Sequence, residues 1–131
     1  MAQLTTNLVA SGNIRPNRFV KISGTNTGAE CSAATDTPVG VTDGSTVTPS
    51  SSYNATSGTP IFLQQPKEVW VYAEDVTSIS AGSKISPGAA GGAVIYANNA
   101  TNVPCAIALE TPSANGVLFR IRLLDKTAPG A

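Results

Sequence analysis

Histidine is absent from this 131-residue chain. The commonest general base near neutral pH is therefore missing, along with the commonest zinc ligand and the Ser–His–Asp and Cys–His constellations. Cysteine and carboxylate chemistry remain. A nucleophilic cysteine needs a base or a positive setting to lower its pKa, and nothing near Cys31 or Cys105 in sequence supplies one. The carboxylates are Glu30, Asp36, Asp43, Glu68, Glu74, Asp75, Glu110 and Asp125. Only Glu74 and Asp75 are adjacent, and strand neighbours point to opposite faces, so this pair predicts a solvated strand end rather than an acid–base site. Thr42–Ser45 (TDGS) is a turn signal; a calcium loop would need several carboxylates at alternating positions. Pro87–Ala93 (PGAAGGA) lacks the Lys-Ser/Thr and the helix of a phosphate cradle and reads as a flexible loop. The expectation is a protein that is not an enzyme, with no cofactor and no metal site.

Composition narrows the partners. Charged residues make up 12% of the chain, about half the usual ~25%, and lysines and arginines balance acids at eight each. A nucleic-acid binder needs a basic excess to displace counterions, so no nucleic acid is expected. No segment approaches the ~20 apolar residues of a membrane helix, and no membrane partner is expected. The start MAQLTTNLVASGN lacks the basic and apolar regions of a signal peptide, which predicts synthesis in a cytoplasm. The count permits a disulfide between Cys31 and Cys105; free thiols suit a reducing compartment better. For the same reason the sequons at Asn54 and Asn99 carry no weight. A neutral surface rich in Ser, Thr, Asn, Gly and Ala keeps poorly apart from other proteins, which points to an assembly.

The elements that would hold such a surface are strands. Apolar spacing of helical period is missing, and nine prolines and twelve glycines punctuate short β-like runs. In RFVKIS, Val20 and Ile22 share one face, Phe19 and Lys21 the other. In GVLFRIRLLD, Val117, Phe119, Ile121 and Leu123 face one way, and Leu118, Arg120, Arg122 and Leu124 the other. EVWVYA is apolar on both faces and is expected to be covered on both, by the core and by a loop or another subunit. Phe19, Trp70, Tyr72, Arg120 and Arg122 are the candidate interface residues. Exposed, Trp70 and Tyr72 would anchor a contact; buried, they would be core. The two arginines suit an acidic partner surface or a solvated face. About eight short strands predict an all-β fold, a small barrel or sandwich.

One unit is written twice. RPNRFVKI leads to TPVGV, and SAGSKIS leads to VPCAI; Val20 precedes Val39 by 19 positions and Ile85 precedes Cys105 by 20. Each copy reads as turn, strand, loop, strand, turn, strand, and one copy would cover the apolar face the other exposes. Residues 1–13 stand outside, with apolar residues too few to pack alone. They form either an arm that adds a strand to a partner's sheet, with Leu4, Thr5, Leu8 and Val9 as its contacts, or an N-terminal strand of the domain itself. The organisation expected is an arm at 1–13, one β domain at 14–126 with units at about 14–50 and 79–124, and a tail at 127–131.

The doubled pattern resembles the capsid cement, or head decoration, proteins of tailed bacteriophages. Many of these carry a Gly-Asp-x-Val turn–strand followed by Pro-Val-Gly-Val, then a degenerate second copy. The matching residues are Asn17–Val20 with Pro38–Val41, and Gly82–Ile85 with Pro104–Ile107, closing on Phe119–Leu123. The Asp of the turn is replaced by Arg18 and Ser83. The resemblance implies a homotrimer on the outer capsid surface of the virion. It would bind the major capsid protein of an expanded head and clamp neighbouring subunits against packaged DNA. The alternative from the residues themselves is a carbohydrate- or surface-binding β module, of head-fibre or adhesin type, using Trp70 and the tyrosines.

Overall fold

Short apolar runs broken by Gly, Pro and Asn allow only short strands, and these make up the regular structure of the protein. A computed structural model describes residues 8–43, 55–64 and 67–124, and among these no helix occurs. The strands are β1 (Val9–Ala10), β2 (Phe19–Gly24), β3 (Thr27–Glu30), β4 (Pro38–Val41), β5 (Glu68–Tyr72), β6 (Lys84–Pro87), β7 (Ala93–Ile95), β8 (Ala106–Ala108) and β9 (Leu118–Leu123). They form a four-stranded sheet in the order β1-β3-β2-β4 and a five-stranded sheet in the order β5-β9-β8-β6-β7. The two sheets make a sandwich-like pair rather than a closed barrel. The edges of the larger sheet touch only through one bridge, Ala73 to Ala93.

The two halves share one pairing scheme. β2 lies antiparallel between β3 and β4, and β6 lies antiparallel between β7 and β8. The registers correspond residue for residue. Val20 faces Glu30 and Gly40; Ile85 faces Ile95 and Ala106. Both units begin on a left-handed residue, Asn17 at φ 57° and Gly82 at φ 93°. Each donates its N–H across the unit, Asn17 to Thr42 O and Gly82 to Ala108 O. The turn therefore demands positive φ, which Gly adopts freely and Asn better than most other residues. That is why the two copies differ there without differing in shape. They diverge in the strand that follows. β9 pairs beside β8, whereas β5 leaves β4 and pairs with β9, so the chain after the first unit crosses to complete the second sheet.

Alternation sorts the side chains as the sequence predicts for β9. Phe119 and Ile121 are buried, while Leu118, Arg120 and Arg122 are exposed. Phe19, Val41, Val69, Val71, Ile85, Phe119 and Ile121 meet in the main core, each large side chain stabilising the fold by about 1.5–3 kcal/mol. Val20 points to the opposite face of the smaller sheet, where Ala10, Ile14, Ala55, Ile61 and Leu63 cover it. Cys31 and Cys105 are both buried in the main core as free thiols, not joined in a disulfide.

Candidate functional site

Five of the acidic groups are each tied to a local partner. Glu30 pairs with Arg15, Asp36 with Lys21, and Glu110 with Arg120. Asp75 accepts the Thr77 N–H in a tight turn, and Glu74 accepts two backbone N–H groups of the 88–92 loop. Among the described residues no three of His, Cys, Asp and Glu gather as a metal site would require. Burial pushes the Cys31 thiol up to about 12 and the Cys105 thiol higher still. Both thiols stay protonated, and a protonated thiol is a poor nucleophile.

Two features stand out instead. The first is a polar knot that joins the turn opening the first unit to the 88–92 loop of the second. Arg15 grips Glu30 bidentately, Nη2 to Oε1 at 2.8 Å and Nε to Oε2 at 3.0 Å, and donates also to Ala90 O at 2.9 Å. Arg18, 8% exposed, lies 3.8 Å over the Tyr72 ring and donates to the same carbonyl at 3.0 Å. Burial, then the like charge of Arg15, lowers the Arg18 pKa, while its tie to Glu30 raises that of Arg15. From the other side Glu74 Oε1 accepts Ala90 N–H at 2.9 Å and Gly92 N–H at 3.1 Å. The glycine-rich loop expected to be flexible is thus clamped through both the N–H and the C=O of one residue, Ala90. Its glycines serve close approach: a Cβ on Gly92 would fall 2.9 Å from Tyr72 O. Arg15, Arg18 and Glu74 carry this knot, and sequence reasoning passed over all three as site residues. Two arginines three positions apart, flanking a Pro-Asn turn, were the available signal.

The second feature is the outer face of β5 and β9. Cross-strand partners there are Glu68 with Arg122, Trp70 with Arg120, and Tyr72 with Leu118. Trp70 is 47% exposed and Leu118 48%, so the second side of EVWVYA is open at Trp70 among the described residues, while Arg18 covers Tyr72 on the same side. The Arg120 guanidinium lies 5.9 Å from the Trp70 ring centroid. Beyond Leu118 the ridge at residues 110–113 walls a groove of about 260 Å³, with Trp70, Leu118, Glu110, Thr111 and Ser113 in its lining.

The structure thus brings together four of the five candidate interface residues, Trp70, Tyr72, Arg120 and Arg122, on one sheet face. Phe19 is a correction: it is fully buried in the main core and presents nothing to a partner. Leu8 and Val9, expected as arm contacts, lie against the domain itself. Val9 is in β1, parallel to β3, and Leu8 packs on the smaller cluster. Leu4, Thr5 and the tail at 127–131 lie outside the described residues.

No family model matches the chain, and no curated protein matches it. Among solved structures it is similar to the head fibre gp8.5 N base of bacteriophage phi29. The TM-score is 0.64 and the identity 18%, over 89% of this chain and 90% of that one. The two share a fold.

Proposed function

We propose that the protein is a non-enzymatic structural component of a phage head, bound to the outer surface of the expanded capsid through the major capsid protein. The observation that carries this reading is the likeness of fold to a phage head-fibre base over nine tenths of both chains. The low, balanced charge suits a domain whose work is contact. Three copies associate as a homotrimer, and each attachment raises the effective concentration of the next. Contacts that are individually weak, at ~25 cal/mol per Å² of apolar area removed from water, then give a persistent hold. As a cement protein it clamps adjacent subunits against internal pressure. The fold likeness favours a second role on the same surface, the base of a head fibre.

Purified protein mixed with expanded heads that lack it is expected to co-sediment in a fixed ratio to the major capsid protein. Protein left wholly in the supernatant under native conditions overturns the reading. Heating decorated and bare heads separates the two roles: protection from rupture marks a cement, and binding without protection marks a fibre base.

A further inference from the structure

We propose that the groove beside Trp70 is a binding subsite for a neutral saccharide, and this does not depend on attachment to a head. The two walls of the groove differ in kind. Trp70 and Leu118, each about half exposed, give an apolar platform of the sort that stacks on the C–H face of a pyranose ring. The opposite wall, at 110–113, carries oxygen-bearing side chains. Glu110 Oε2 is committed to the Arg120 N–H at 2.8 Å, which fixes the carboxylate and leaves Oε1 as an acceptor. Thr111 Oγ1 accepts the Ala81 N–H at 3.1 Å and keeps its own proton to donate, and Ser113 adds a second hydroxyl. Each hydroxyl of a sugar both donates and accepts, around a ring whose C–H face is apolar, and these walls offer a partner for each of those properties.

Charge and size choose among occupants. Glu110 and Arg120 balance each other across 3.7 Å, so the pair gives the groove no net charge to select an anion or a cation. A volume of about 260 Å³ falls just below the ~300–1,000 Å³ of sites for drug-sized ligands, which suits a single ring with its neighbours projecting into solvent. A lone subsite of this kind holds its ligand at about millimolar Kd, since few groups are desolvated.

Trp70 is the only tryptophan, so its fluorescence reports occupancy directly. The full chain is titrated with methyl glycosides of glucose, galactose and N-acetylglucosamine and with their short oligosaccharides, alongside a glycan array. A saturable fluorescence change with at least one neutral sugar is expected, weakened about tenfold or more in Glu110→Gln. Ser113→Trp fills the groove without altering the platform and is expected to abolish binding, read on the array. Trp70→Ala, read on the array with its circular dichroism as a check on folding, is expected to do the same. No neutral sugar bound, or binding unchanged in a folded Ser113→Trp variant, overturns the proposal.

Discussion

Asp36 shows how single groups stabilise the loops of this fold. Burial opposes its ionisation, but the Ser32 N–H at 2.7 Å, the Lys21 ammonium at 3.1 Å and the Ala33 N–H at 3.1 Å outweigh it and hold the carboxyl below its ordinary value. A carboxyl depressed on folding contributes stability above its unfolded pKa, near ~3.9, and loses it as pH falls through the folded value. Asp36→Asn is therefore expected to cost about 1–2 kcal/mol at neutral pH and less at an acid pH below ~3.9. Urea unfolding of both proteins at the two pH values checks it. A penalty independent of pH would mean that the carboxylate charge is not what holds the Ser32–Asp36 turn.

At the scale of elements, the start of each repeated unit makes the sharpest demand on the chain. A Cβ on Gly82 would meet nothing within 4 Å, so any cost of replacing it is conformational. Gly82→Ala is expected to lose about 1–2 kcal/mol for placing an ordinary residue at positive φ. Gly82→Asn is expected to lose less, because Asn17 already occupies the equivalent turn. Thermal unfolding ranks the two, and equal losses would separate the turns physically despite their matched hydrogen bonds. The free edge of β5 is managed by side chains. Gln64 donates to Trp70 O at 2.8 Å and accepts Trp70 N–H at 3.0 Å, so one amide stands where a neighbouring strand would pair. Asn17 Nδ2 donates to the same carbonyl. Capping of this kind keeps an edge with an exposed tryptophan from pairing with other chains.

The whole molecule couples its halves twice. β5, which follows the first unit, pairs along its full length with β9, which follows the second. The Arg15–Arg18–Glu74 knot fixes the 88–92 loop of the second unit to the turn that opens the first. Neither unit keeps a covered core alone, since Phe19 and Val41 share one cluster with Ile85 and Phe119. Unfolding is expected to be a single transition, with Trp70 fluorescence and far-ultraviolet circular dichroism coincident in urea. Two separated transitions would show that the units are independently stable.

Much of this was readable in the chain. The period of two in GVLFRIRLLD placed Phe119 and Ile121 inward and both arginines outward. The doubled PVGV and PCAI runs marked strands that prove equivalent in register. These are local properties, set by residue type and by spacing within a few positions. Tertiary structure alone decided the rest. Ala90 O meets Arg15 from 75 positions away and Arg18 from 72. Trp70 faces a wall built from residues 110–113. Phe19 went to the core and Trp70 to the surface although both are aromatic residues of apolar strand runs. The face that a strand buries depends on which sheet lies against it, and that is fixed by the crossing of β5 to β9 rather than by either strand's own residues.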